Sequence, residues 1–343
     1  MRSPFTGLLA IALACEVLSA PAADQKPMQT PVAKKVPHEL QKHNHTRSDE
    51  YYWLRDRDNP EVIAYLEAEN AYVQQGMAHT DPLQKTLFEE FKTRIKQTDE
   101  SVPYRKDGYF YYTRTLEGKD YPVYCRKEGS LDAPEQILLD GNQAAEGHSF
   151  FSVGKIDVAP DNRTMAYATD TVGRRFYTIR FRNLETGQEL PDVIADVTSS
   201  FAWANDDKTV FYARQPPQTP RSYRTYRHVL GTDPAQDQLI FEEQDEEFRT
   251  FVYKTKSKQY IIIGSEQTLS SEYRFLDAGQ PDGAFQLIEP RRRDHEYSVD
   301  HFGGHFYILT NHEAKNFRLM RAPVTEPGLD RWEEVVPHRQ DTY

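Results

Sequence analysis

Five stretches of this chain repeat one design: a strand, a short polar turn, then an aromatic or aliphatic strand. They are PYRKDGYFYYTR at 103–114, VAPDNRTMAYATD at 158–170, WANDDKTVFYAR at 203–214, YKTKSKQYIIIGS at 253–265 and HFGGHFYILTN at 301–311. The turns fall near Asp107, Asn162, Asp207, Ser257 and Gly303, a spacing of roughly 45 to 55 residues that matches propeller periods. Second hairpins lie between them, as in YTIRFRNLETGQEL at 177–190 and EYRFLDAGQPDGAFQLI at 272–288. Each period therefore holds about four short strands, one propeller blade. A four-stranded sheet has two faces and cannot bury both alone. Radial neighbours cover them and leave only short edges. The expected fold is mainly β, a propeller of about five four-stranded blades over residues 103–343. Phe201, Trp203, Phe211 and Tyr212 are assigned to the core between blades.

Ahead of the repeats the pattern is helical. Asn59-Pro60 opens a helix, with Pro60 suited to its first turn and Glu61 to its positive end. Val62, Tyr65, Leu66, Glu69 and Tyr72 recur at helical spacing. A second helix runs from about Pro82 through Leu83, Leu87, Phe88, Phe91 and Ile95, with Asp81 as its cap. Residues 37–102 are thus read as a helical N-terminal arm. Thr98 to Pro103 is its hinge to the β body, because Thr98, Asp99 and Ser101 compete with helix hydrogen bonds and Pro103 restricts Val102.

The first residues read as an export signal. Arg2 is followed by the apolar run Leu8–Ala14, too short to span a bilayer, and by an A-x-A-like site at Ala20-Pro21-Ala22. Residues 1–22 are assigned to this signal and 23–36, rich in Pro, Lys and Gln, to a flexible leader. Ala14-Cys15 leaves a lipoprotein site as an alternative to cleavage. The location implied is periplasmic or secreted, with cytoplasmic as the alternative. Processing would leave Cys125 as the single thiol, which permits neither an internal disulfide nor a cysteine metal site. Cys125 lies in the strand-like YPVYC and is read as a small buried hydrophobe.

The net charge of −11 speaks against a nucleic-acid partner, and no membrane span is expected. With 21 Tyr and 18 Phe, the composition favours strands. Candidate chemistry is sparse. His43 and His45 lack a carboxylate or Cys at ligand spacing. His295-Glu296 is followed by His301, so it is not H-E-x-x-H. His301 and His305 flank the Gly303-Gly304 hairpin turn. His148-Ser149, read as neighbours on a strand, would point to opposite faces and make no catalytic pair. No catalytic, cofactor or metal residue is assigned. Arg291, Arg292 and Arg293 allow two readings: a solvated loop with local ion pairs, or a cavity-facing run that holds a peptide carboxylate or a contact between domains.

Long ordered motifs carry a family resemblance. HNHTRSDEYYWLRD at 43–56, YLEAENAYV at 65–73, RIKQTDESVPYR at 94–105, YPVYCRKEG at 121–129, AEGHSFFSVG at 145–154 and RRRDHEYSVDHFGGHFYILTN at 291–311 resemble the oligopeptidase B branch of the prolyl oligopeptidase family of serine peptidases. The resemblance covers about residues 37 to 343. It implies a helical arm and a seven-bladed propeller capping an α/β-hydrolase domain, with no cofactor. It also implies cleavage of short peptides after Arg or Lys, the propeller excluding folded proteins. Only about five blades fit before Tyr343, so the propeller is expected to be incomplete. No G-x-S-x-G nucleophile elbow occurs among the 343 residues, and the motif is what the family's nucleophile requires. The chain is therefore expected to be inactive alone, a truncated product or fragment missing the α/β-hydrolase domain. The alternative expectation is a stand-alone five-bladed propeller that binds or scaffolds.

Overall fold

The computed structural model describes residues 29–217 and 219–341. The signal assigned to 1–22, and the leader through residue 28, lie outside them. The described chain divides into two compact units, the first ending at Lys96 and the second beginning at Gln97.

The first unit opens with an antiparallel hairpin of β1 (His38–Lys42) and β2 (His45–Asp49). Its two-residue turn puts His43 and Asn44 at φ 54° and 59°, the left-handed pair that suits strand twist. This part of the expected helical arm is therefore a β-hairpin, and His43 is a turn residue. Helix α1 (Pro60–Met77) starts as its sequence dictates: Pro60 is at the first position and the Asn59 side chain accepts from the Glu61 N–H at 3.0 Å. Helix α2 spans Asp81–Arg94. Thr80, not Asp81, occupies its N-cap position, so Asp81 lies inside the first turn and acts there through its charge on the helix dipole. Only Val62 is buried on α1, and no residue of α2 is buried. The apolar positions of α2 include Phe88, 62% exposed, and Phe91, 58% exposed.

The second unit is built of antiparallel strands. Its first sheet is β3 (Tyr104–Lys106), β4 (Tyr109–Arg114), β5 (Val123–Glu128) and β6 (Glu135–Asp140) in order. The preceding segment is tied to it, because Ser101 N–H donates to Thr113 O and Thr115 N–H to Asp99 O, both at 2.9 Å. The short helix α3 (Gly141–Ala144) follows.

Next comes a seven-stranded sheet: β7 (Ser152–Val158), β8 (Thr164–Asp170), β9 (Tyr177–Asn183), β10 (Glu189–Trp203), β11 (Thr209–Arg214), β12 (Arg224–Val229) and β13 (Gln238–Glu242). Here β10 pairs with β9 through its first part and with β11 through its last, and Val197 pairs with both. Register shifts flank Val197 and Asp196 sits at φ 56°, the local bend of a bulge. Two four-stranded sheets complete the unit. One is β14 (Arg249–Lys254), β15 (Tyr260–Gln267), β16 (Ser270–Asp277) and β17 (Gln286–Glu289). The other is β18 (Tyr297–Phe302), β19 (His305–Thr310), β20 (Arg318–Pro323) and β21 (Glu333–Val336).

All five expected turns are present between paired strands. The left-handed residues are Asp107, Asn162, Asp207, Lys258 and Gly303, so the fourth turn peaks one residue after Ser257. Counted as five four-stranded units, two of which share β10 in the seven-stranded sheet, the strands pack face to face in chain order. Tyr111 and Leu139 meet Met165 and Tyr167; Phe181 and Ile179 meet Trp203 and Tyr212; Ala202 and Phe211 meet Val252 and Ile263; Tyr273 and Phe275 meet Val299 and Phe306. The four aromatics expected in the core, Phe201, Trp203, Phe211 and Tyr212, are at most 1% exposed.

On the last sheet Leu309 pairs with Leu319, and Leu319 with Val336. This cross-strand apolar row leaves Leu309 47% and Val336 52% exposed. Among the described residues, no buried apolar cluster joins the first sheet to the last.

Candidate functional site

The first strands of successive four-stranded units, β7, β10, β14 and β18, do not form a ladder with one another. Side chains bridge them instead. Trp203 Nε1 donates to Asp157 O at 3.2 Å, and Lys155 Nζ donates to Phe201 O at 2.5 Å. Ser200 Oγ donates to Val252 O at 2.9 Å and accepts from Val252 N–H at 2.7 Å. Tyr253 Oη donates to Val299 O at 2.5 Å. The succession of sheets curves enough for Lys258, in the fourth turn, to pair with Asp107, in the first.

Residues of β3, β7, β10 and β14 wall a cavity of ≈ 600 Å³ beside the first and fourth turns. Its lining is cationic: Arg105, Lys106, Lys155, Lys254, Lys256 and Lys258 against Asp107 and Asp157. Both carboxylates are already engaged, Asp157 by Lys106 at 2.8 Å and Asp107 by Lys258. Burial would lower the Lys106 pKa, but Asp157 beside it outweighs this and the net shift is upward. Lys155 and Lys254 hydrogen-bond only to main-chain carbonyls, Phe201 O and, at 3.4 Å, Ala204 O. Burial without a contacting carboxylate disfavours their charged forms. It lowers the Lys155 ammonium, and it brings Lys254 down to about 8.

A second concavity of ≈ 700 Å³ lies at the other end of β14, beside Arg249. It carries Glu246, Glu247, Glu266 and Glu296 with Arg221 and Arg249. Strand β14 thus runs from an acidic end to a basic one.

The residues weighed from sequence fall elsewhere. Arg291 is not at the cationic cavity. It bonds Glu243 at 2.5 Å and Glu272 at 3.2 Å and lies 3.9 Å from the Phe248 ring centroid. Arg292 pairs with Glu289 at 2.6 Å, and Arg293 is exposed beside Asp294. His148 and Ser149 are exposed in the loop after α3 and not on a strand, so the expectation of opposite strand faces does not apply. His295 is buried against Tyr297, with Nε2 3.1 Å from Thr310 Oγ1. His301 is buried with Nδ1 2.8 Å from Ser257 Oγ. Cys125 is 1% exposed, and burial, aided by the Glu135 carboxylate, pushes its thiol up to about 12. It is a packing residue, as its strand context implied.

Sequence reasoning missed the lysines. A partial signal existed: Lys106, Lys155 and Lys254 each lie on a strand that leads into one of the five turns, though not at a shared position.

A family model described as the prolyl oligopeptidase N-terminal beta-propeller domain matches residues 31–343. The chain belongs to the prolyl oligopeptidase family. Dipeptidyl aminopeptidase BI of Pseudoxanthomonas mexicana is 42% identical over 352 residues, covering 97% of this chain and 48% of that protein. Protease 2 of Moraxella lacunata is 35% identical over 323 residues, covering 92% of this chain and 46% of that protein. Oligopeptidase B from Leishmania major superposes with TM-score 0.83 at 30% identity, over 91% of this chain and 47% of its own. This prolyl oligopeptidase-family chain therefore spans about half the length of the relatives it matches, and its matched part is the propeller domain. The likeness to oligopeptidase B drawn from the motifs is upheld. Among the described residues no helix is long and apolar enough to cross a membrane.

Proposed function

We propose that this chain is the substrate-gating half of an oligopeptidase B-like serine endopeptidase that cleaves short peptides after Arg or Lys. Its five four-stranded blade units belong to a larger, seven-bladed propeller, and an α/β-hydrolase half outside these 343 residues supplies the nucleophile. The observation that carries this reading is the family match over 31–343 in a sequence without a G-x-S-x-G elbow. Two features support it. The uncovered row Leu309, Leu319, Val336 is what a blade face looks like before its neighbour packs on it. The same row weighs against a closed five-bladed scaffold. The apolar positions of α2 are suited to cover by a further domain.

The test is a chimera in which this chain replaces the matched half of the Pseudoxanthomonas relative. The chimera is expected to hydrolyse an Arg-containing chromogenic peptide and to spare folded protein, while the chain alone does neither. A folded but inert chimera, or clear turnover by the chain alone after controls for contaminating proteases, overturns the proposal.

A second reading follows from the 42% identity to a protein named a dipeptidyl aminopeptidase: release of dipeptides from a free amino end. The chimera separates the two, because blocking the substrate's amino terminus abolishes exopeptidase turnover and leaves endopeptidase turnover intact. The export signal read in residues 1–22 makes the periplasm or the exterior the proposed location. N-terminal sequencing of the exported chain tests this.

A further inference from the structure

The geometry points to the cavity walled by Lys106, Lys155, Lys254 and Lys256 as a binding site for peptide carboxylates. The inference rests on the peptidase reading, whose substrate class it narrows: the lysine cavity takes the anionic part of the peptide.

Positive charge in this lining exceeds its carboxylates. The chain carries a net charge of −11, yet this lining has six cationic side chains and two carboxylates. Lys106 and Lys258 use both carboxylates. Lys155 and Lys254 are left with carbonyl oxygens, and Lys155 also lies 4.7 Å from the centroid of the Phe201 ring. A cation held this way costs desolvation energy that a contacting anion would offset. The volume lies within the roughly 300–1,000 Å³ common for small-ligand sites. An ammonium is a point charge with three donors and imposes no planar fork. It therefore accepts a carboxylate in several orientations, as a site for varied peptides requires. The acidic concavity at the other end of β14 disfavours the same group there.

A purely structural role for the lysines, bracing the first strands, predicts no ligand at all. Titration calorimetry on the full chain distinguishes the two. Three blocked peptides are compared: acetyl-Glu-Glu-Glu-amide, acetyl-Ala-Ala-Ala with a free C-terminal carboxylate, and acetyl-Ala-Ala-Ala-amide. Saturable binding of either carboxylate peptide, weakening with salt, is expected, and none of the neutral amide. Which of the two binds tells whether side-chain or C-terminal carboxylates are taken. Lys155→Met and Lys254→Met should each weaken binding about tenfold or more, the range for losing a hydrogen bond to a charged group. Lys315→Met, on an exposed loop residue, should change nothing. Should Lys155→Met or Lys254→Met lose its cooperative melt, Lys256→Gln replaces it, since Lys256 is exposed at the rim.

Absence of binding by both carboxylate peptides overturns the assignment. So does equal binding of the neutral amide, unchanged affinity in the cavity variants, or binding of inorganic phosphate without either peptide. No peptidase activity enters the measurement, so its failure leaves the chimera test of the gating reading unaffected.

Discussion

The loss of His228 should cost the second unit heavily. Its ring is fully buried on β12, with Nδ1 2.7 Å from Asp237 Oδ1 and Nε2 3.1 Å from Asp192 Oδ1. The two carboxylates have other donors, Tyr212 Oη at 2.8 Å for Asp237 and Gly231 N–H at 2.6 Å for Asp192. Neither of those donors carries a charge. His228→Ala therefore strands two buried carboxylates without a cation. Breaking a buried pair by removing one partner typically costs about 3–5 kcal/mol, and the same loss is expected here. His228→Gln keeps volume and one donor but no charge, so it should fall short of that loss.

The pH dependence fixes the mechanism. Burial alone would lower the His228 pKa, but hydrogen bonds and charge from Asp237 and Asp192 outweigh it and raise it above 6.5. A raised folded-state pKa means that the folded protein binds the proton more tightly than the unfolded chain does. The stabilisation is then complete below the unfolded value near 6.5 and fades as pH climbs through the folded value. Urea unfolding followed by β-sheet circular dichroism, on the parent chain and on His228→Gln from pH 6 upward, measures this. The stability gap should be widest at the acid end and narrow with rising pH. A cost for His228→Ala below about 1 kcal/mol, the scale of an exposed ion pair, refutes the reasoning. A gap that widens with pH does the same.

Three further outcomes are expected. In a Cys15→Ser background, Cys125 should resist a disulfide-exchange reagent at pH 8 in the folded chain and react fully in urea, as its thiol at about 12 implies; fast native labelling would contradict its burial. Arg291→Met should destabilise the chain by about 3–5 kcal/mol, because it leaves the buried Glu243 without a guanidinium and Glu272 with Arg274 alone, yet leave carboxylate-peptide binding in surviving folded protein unchanged by calorimetry. Gly264→Ala should cost about 1–3 kcal/mol by overpacking, read as a lower urea midpoint, because its new methyl would lie 2.3 Å from Phe251 Cζ.

The repeats were legible because each turn needs a residue that tolerates positive φ, and Asp107, Asn162, Asp207 and Gly303 are such residues at a regular interval. The opening of α1 was legible for the same kind of local reason, a capping Asn before a Pro. The hairpin of β1 and β2 was hidden because its left-handed pair is His43-Asn44 and not a glycine-containing dipeptide. The lysine cavity was hidden for a different reason. Lys106, Lys155 and Lys254 are spread over some 150 positions of chain, and only the curved succession of sheets gathers them. The arginine run misled in the opposite direction. Three adjacent cations draw the eye, but the glutamates that engage Arg291 come from other segments, 48 and 19 residues away in sequence.

Strand β10 has a mechanical consequence. The other junctions between successive four-stranded units in this chain pass through a connecting stretch such as 243–248 or 290–296, but here one unbroken strand serves both neighbours, and Val197 is laddered on either side. Swinging these two wedges apart would require tearing backbone hydrogen bonds, whereas elsewhere a linker could simply bend. Any breathing between the units is thereby steered to the other joints, and amide exchange should be slowest along this strut.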